Sequence, residues 1–123
     1  MQPFLTITAV SGFLSVALGA FGAHALRARL DSYFLSIFKT GVEYQFFHTF
    51  ALALTVWLLS RNPASGLLRV SGWLFTVGIV IFSGSLYLLA ITGVKKWGAV
   101  TPIGGVCFLI AWALMAYVTV VAD

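Results

Sequence analysis

Few side chains in this 123-residue chain are able to do chemistry, and most of them crowd into one stretch. Gly41-Val42-Glu43-Tyr44-Gln45-Phe46-Phe47-His48-Thr49 brings together a carboxylate, a phenol, an amide and an imidazole. Ser83 and Tyr87 add hydroxyls later in the chain, and His24, Gln45 and Cys107 are secondary candidates. A carboxylate near an imidazole suggests proton transfer or ion binding. The spacing argues against a joint site on one helix. At about 100° per residue, Tyr44 and His48 share a face, whereas Glu43 lies about 140° from His48. The candidate cluster is therefore Glu43, Tyr44, His48, Ser83 and Tyr87, with other helices needed to complete it.

Other chemistries fit less well. His24, Glu43, His48 and Cys107 supply zinc-ligand types, but no motif spacing unites them. A haem held by two histidines needs His24 and His48 at one depth on facing helices, and they differ by about a turn or more. The chain shows no nucleophile–base arrangement, phosphate-binding loop or paired carboxylate. A single cysteine excludes an internal disulfide. The sequence therefore predicts no catalytic residue, no metal, no cofactor and no enzyme.

The surroundings of these residues explain their cost. Hydrophobic residues make up 61% of the chain and charged residues 8%, with mean hydropathy +1.05. Soluble domains carry about 25% charged residues. A chain this apolar is written for lipid, and its basic residues sit in short clusters between apolar runs, not in a nucleic-acid patch. Four runs are long enough to cross about 30 Å of hydrocarbon: residues 3–23, 42–59, 67–91 and 101–122. A signal peptide is the competing reading of the first run, since Ala23-His24-Ala25 looks like a cleavage site. The run exceeds a typical apolar region of a signal peptide and lacks a basic leader. Pro63 stops the second run, Gly93 suits the C-terminal cap of the third, and Thr101-Pro102 opens the fourth with a capping hydroxyl.

Between the first two runs, Leu26, Leu30, Tyr33, Phe34, Ile37 and Phe38 recur at helical spacing, with Arg27, Arg29, Asp31, Ser32 and Ser36 mostly off the stripe. Segment 26–39 is too short to span and reads as an interfacial amphipathic helix; a plain membrane-facing linker is the alternative. The fold expected is an all-α membrane protein: an antiparallel four-transmembrane-helix bundle in a single domain, with that interfacial helix between helices 1 and 2.

Small residues mark where the helices meet. Ser11, Ser15, Gly19 and Gly22 form one stripe of helix 1, and Gly104 begins another with Phe108 and Ala111 on helix 4. Gly72, Thr76, Ser83, Tyr87 and Ala90 align on helix 3. Antiparallel threading puts Tyr44 and His48 opposite Ser83 and Tyr87, and gathers the polar groups in the half of the bilayer nearest residues 24–41 and 93–100. The other half reads as almost purely apolar. That polar end also holds Arg27, Arg29, Lys39, Lys95 and Lys96, against Arg61 and Arg69 at the other, so the positive-inside rule puts both termini outside.

Several blocks also carry a resemblance. Gly19-Ala20-Phe21-Gly22-Ala23-His24, Thr40-Gly41-Val42-Glu43-Tyr44-Gln45 with His48-Thr49, Phe82-Ser83-Gly84-Ser85-Leu86-Tyr87 and Val100-Thr101-Pro102-Ile103-Gly104-Gly105 resemble the domain of unknown function 423 family. They extend over nearly the whole chain. The resemblance implies a small bacterial inner-membrane protein with eukaryotic relatives, and implies no activity. Relatives with a basic tail argue for termini inside; this chain ends Val121-Ala122-Asp123.

Two functions compete on this reading. The first is a structural or accessory membrane component, in a homo-oligomer or a larger assembly, with the bilayer as its other partner and Glu43 held by the helix dipole or Lys39. The second is a small transporter or proton-coupled carrier using the polar cluster.

Overall fold

Asp31 and Ser65 start two of the spans in the same way. Each lies in extended backbone, and its side chain accepts from an amide three residues on: Asp31 from Phe34 at 3.0 Å, Ser65 from Leu68 at 3.2 Å. Each satisfies one of the donors a helix N-terminus leaves open. The computed structural model describes residues 2–121. Its helices are α1 (Gln2–His24), α2 (Ser32–Arg61), α3 (Gly66–Gly78), α4 (Gly84–Thr92) and α5 (Thr101–Val121). A π-helical segment, Ile79–Ser83, joins α3 to α4 without a break, so the two form one span. Four stretches are long and apolar enough to cross a membrane, and there is no strand among the described residues. Residue 122, expected to end the fourth span, lies outside the described residues, as does Asp123.

Two local expectations change. Segment 26–39 is not a separate helix. Leu26–Ala28 is a 3-10 turn, and the residues from Ser32 onward are the first turns of α2. Once Asp31 caps the helix, no proline stops it before Val42, and Gly41 is covered by the Tyr87 ring. The apolar stripe packs inward: Leu26, Phe38 and Ala90 form a buried cluster, with Leu30, Phe34 and Ile37 against it. The Thr101 hydroxyl also differs from its expected capping role, because it meets Ser85 Oγ and donates to the Trp97 carbonyl. Gly93 does end α4 in the left-handed conformation, φ 71°, which suits a residue without a Cβ.

Contacts fix the register. Ser11 meets Thr49, and Phe38 covers Gly22, so α1 and α2 run antiparallel. Gln45 meets Tyr87, and His48 lies beside Phe75, so the third span is antiparallel to α2. Ser71 meets Ala111 and Ser85 meets Thr101, so α5 reverses again. The main core holds Phe4, Leu52, Leu59, Leu68, Phe75, Phe108 and Met115.

Rings over glycines let the helices close. Phe4 covers Gly72, Phe38 covers Gly22, Tyr87 covers Gly41 and Phe108 covers Gly78. The tightest approach is backbone to backbone: a Cβ on Gly104 would stand 2.5 Å from the Phe82 nitrogen. Close approach matters because lipid gives helices no hydrophobic reason to associate. Phe82 belongs to the π segment, so the widened turn sits where α5 presses closest.

Candidate functional site

Most of the buried polar side chains fall into two groups on either side of α2. The first links α1, α2 and α4. Tyr87 Oη donates to Gln45 Oε1 at 2.6 Å. Gln45 Nε2 donates to the Ser11 carbonyl at 3.2 Å and lies 3.4 Å from Ser11 Oγ. Ser11 Oγ and Thr49 Oγ1 are 2.6 Å apart, and Thr49 also donates to the Gln45 carbonyl at 2.7 Å. Ser15 donates to the Ser11 carbonyl at 2.7 Å, and Ser83 to the Gly41 carbonyl at 2.7 Å. Gln45, Thr49, Ser11, Ser15 and Ser83 are all buried.

The second group joins α2 to α5. His48 Nδ1 lies 2.7 Å from the Tyr44 carbonyl, which only accepts, so Nδ1 carries the proton. Nε2 then accepts from Trp112 Nε1 at 3.1 Å. The imidazole stacks on Phe108 with centroids 3.5 Å apart and planes 7° apart. Tyr44 stacks on Phe82 at 4.7 Å, and Trp112 meets Phe75 edge-on at 5.1 Å. A cleft of about 420 Å³ open at this face is lined by Tyr44, His48, Phe82, Gly105, Phe108 and Trp112 among others.

This arrangement corrects the expected pairing. His48 does not meet Ser83 or Tyr87; its partner is Trp112, and the group facing Tyr87 is Gln45. Tyr44 and His48 do share a face, but that face turns to the junction of α5 with the π segment, and the next residue round the helix takes the contact with α4. Ser83 donates to the Gly41 carbonyl and lies beside Tyr87 on its own span. Glu43 is exposed on a different face from His48, and His24 is exposed at the end of α1. Cys107 is half-buried on α5.

The polar groups are also less one-sided than expected. Ser11, Gln45, His48 and Trp112 lie near the middle of their helices. In the half read as apolar, buried Ser71 and Thr55 donate to the carbonyls of Ala111 and Ala51. Of the packing residues, Ser11 and Ser15 are buried against α2, Gly19 and Gly22 lie beside Val42 and Phe38, and Gly104 packs on Phe82.

Thr49 and Trp112 were missed. Gly41-x-x-x-Gln45-x-x-x-Thr49 is a small and polar ladder at helical spacing, and it marks Thr49. Nothing local marks Trp112, because aromatic residues are common throughout this chain.

Both histidine nitrogens and both ends of the Gln45 amide are occupied by protein groups. Every buried side-chain nitrogen or oxygen among the described residues has a hydrogen-bond partner. Among those residues, no three His, Cys, Asp or Glu side chains are placed to hold a metal.

Comparison with known proteins fits this frame. Residues 18–105 match the family described as "Protein of unknown function (DUF423)". The chain belongs to that family. The matched region contains Tyr44, Gln45, His48, Thr49, Ser83 and Tyr87, and leaves out Ser11, Ser15, Phe108 and Trp112. Over 98% of each chain, the protein is 39% identical to the UPF0382 membrane protein YwdK of Bacillus subtilis. It is 46% identical to a UPF0382 membrane protein of Haemophilus influenzae, covering 93% of this chain and 90% of the relative. It is 44% identical to the UPF0382 inner membrane protein YgdD of Escherichia coli K12, covering 90% and 84%. No solved structure matches the chain.

Proposed function

We propose that this integral protein of the bacterial inner membrane is a structural or accessory component, not an enzyme, and that it works as a member of a membrane assembly built of itself or of other chains. The observation that carries this reading is the saturation of its buried polar groups. Gln45 uses its carbonyl on Tyr87 and its amide on Ser11, and His48 uses one nitrogen on Tyr44 and the other on Trp112. Groups committed in this way hold helices together, since a buried donor or acceptor left unpaired in hydrocarbon is costly. Very little of the described chain lies outside the spans, which suits contacts with lipid or with other membrane segments.

The test is native mass spectrometry of the chain extracted from its own membrane in mild detergent, alongside proteoliposomes of the pure protein. A stoichiometric complex larger than one chain is expected. A lone chain that moves or converts a solute in the proteoliposomes overturns the reading.

A further inference from the structure

The outward face of α2 has an order of its own. Lys39, Glu43, Phe46, Phe50, Ala53 and Trp57 follow one another at alternating steps of four and three residues. All but Ala53 are exposed, with Phe50 at 61% and Trp57 at 54%. These residues form one straight face of the helix, and their alternation of four and three is the spacing by which two helices meet along a seam.

Glu43 is the second observation. Gly19 lies beside Val42, and α1 continues beyond that level to His24, so Glu43 sits inside the end of the span and one turn deeper than Lys39. An ionisable side chain facing lipid at that depth calls for a partner. Among the described residues, neither Glu43 nor Lys39 has a hydrogen bond or an ion pair within the chain. The order Lys then Glu at four residues is also the weaker orientation for pairing along one helix. Glu43 and Lys39 both line a cleft of about 310 Å³ between α1 and α2, with Gly19, Gly22, Phe38 and Val42.

We propose that a second copy of this chain covers the face, its α2 parallel to the first and related by a two-fold axis along the membrane normal, with Lys39 of each copy paired to Glu43 of the other. This rests on the reading of the protein as a member of an assembly, and names one member. The charges are self-complementary. Two parallel helices place residue 39 of one next to residue 43 of the other, about 6 Å apart along the axis, within reach of a lysine side chain. The cleft that Lys39 and Glu43 line in each copy gives the lysine side chain room to swing to the other chain. Below the charges, Phe46 and Phe50, 5.1 Å apart on one helix, interleave with their copies across the small Ala53.

Oxidative cross-linking in native membranes tests the proposal, in a Cys107→Ser background. Phe46→Cys and Phe50→Cys should each give a disulfide-linked dimer of this chain. Val16→Cys and Leu109→Cys, also exposed but on other helices, should not. In the Phe46→Cys chain, Glu43→Lys or Lys39→Glu alone should reduce the cross-link at least tenfold, and the double swap should restore it. A cross-link from Phe46→Cys to a different protein overturns the dimer and leaves the assembly reading standing. Folded protein with no link at either position, or a link as strong at Leu109→Cys, overturns the dimer. A double swap that fails to restore the link overturns the ion pair.

Discussion

The α1–α2 seam and the α3–α5 seam solve one problem in two ways. Both join antiparallel helices in a solvent that gives apolar faces no reason to leave it. Between α1 and α2, side chains reach across: Ser11 meets Thr49, and Gln45 reaches the Ser11 carbonyl. Of the two α1 glycines there, Gly22 lies under the Phe38 ring, whereas Gly19 faces only the tip of Val42 and an open cleft. Between α3 and α5 the backbones themselves close, with Gly104 on Phe82 and Gly78 under Phe108. The one hydrogen bond from α3 to α5 ends on a backbone carbonyl, from Ser71 to Ala111. One seam depends on matched polar partners and, at Gly19, tolerates a small change in bulk. The other depends on an absent Cβ and tolerates almost none.

Gly104→Ala tests this contrast most severely. Its new methyl would stand 2.5 Å from the Phe82 nitrogen and 2.8 Å from its Cα. The Phe82 backbone lies well inside the third span and has nowhere to move without separating the helices. The expected cost is about 3 kcal/mol, the upper end for overpacking. Reversible unfolding in detergent measures it, and a loss below about 1 kcal/mol would mean that α5 shifts freely.

Gln45→Leu comes next and strikes the other seam. It keeps the bulk but strands Tyr87 Oη and removes a donor to Ser11. Interhelical side-chain hydrogen bonds in membranes are worth about 0.6 kcal/mol on average and about 1.7 at most. Two linked bonds in one buried network put this substitution near about 1.5 kcal/mol. A double-mutant cycle with Tyr87→Phe isolates the pair. A coupling indistinguishable from zero would remove Gln45 as the link between α2 and α4.

The sequence displayed much of this, but unevenly. Four spans are visible because an apolar run of about 20 residues has few other uses. Gly93 and Pro63 are visible because their backbone limits act locally. The partners of Tyr44, His48 and Tyr87 were not. A helical wheel orders the faces of one helix but does not give its rotation against its neighbours, and a turn of about 60° exchanges His48 for Gln45. The π segment at Ile79–Ser83 leaves no mark in composition, yet it sets where Phe82 and Ser83 point. The Asp31 cap was readable in principle. The polar stripe around it suggested a helix lying on the membrane, and the structure uses the same residues to begin a long one.

Trp112→Phe probes the junction between the two seams. It keeps one ring against Phe75 and removes the indole N–H that His48 Nε2 accepts, together with the second ring of a partly exposed side chain. His48 retains its bond to Tyr44 and its stack on Phe108. The expected loss is about 0.6 kcal/mol, the average for one such bond. Unfolding of the variant beside the parent checks it. A loss above about 2 kcal/mol would make the histidine–tryptophan pair a principal tie between α2 and α5.

Gly19→Ala should have the smallest effect, and it separates the seams most cleanly when set beside Gly104→Ala. A Cβ at Gly19 meets only Val42 Cγ1, at 3.4 Å, which is ordinary contact with the free end of a side chain. The rest of its surroundings is the cleft beside Glu43. Against that contact stands the backbone term: alanine in a helix interior is favoured over glycine by about 0.5–1 kcal/mol, because glycine loses more freedom on folding. The two terms nearly offset, and the expected outcome for the monomer in detergent is no loss, or a gain of about 0.5 kcal/mol. Gly19→Leu is a different experiment, since its branches would have to fill the cleft or push Val42 aside. If Gly19→Ala instead costs as much as Gly104→Ala, then α1 and α2 also close backbone to backbone. The bonds from Gln45 and Thr49 to Ser11 would then accompany that closure, not cause it.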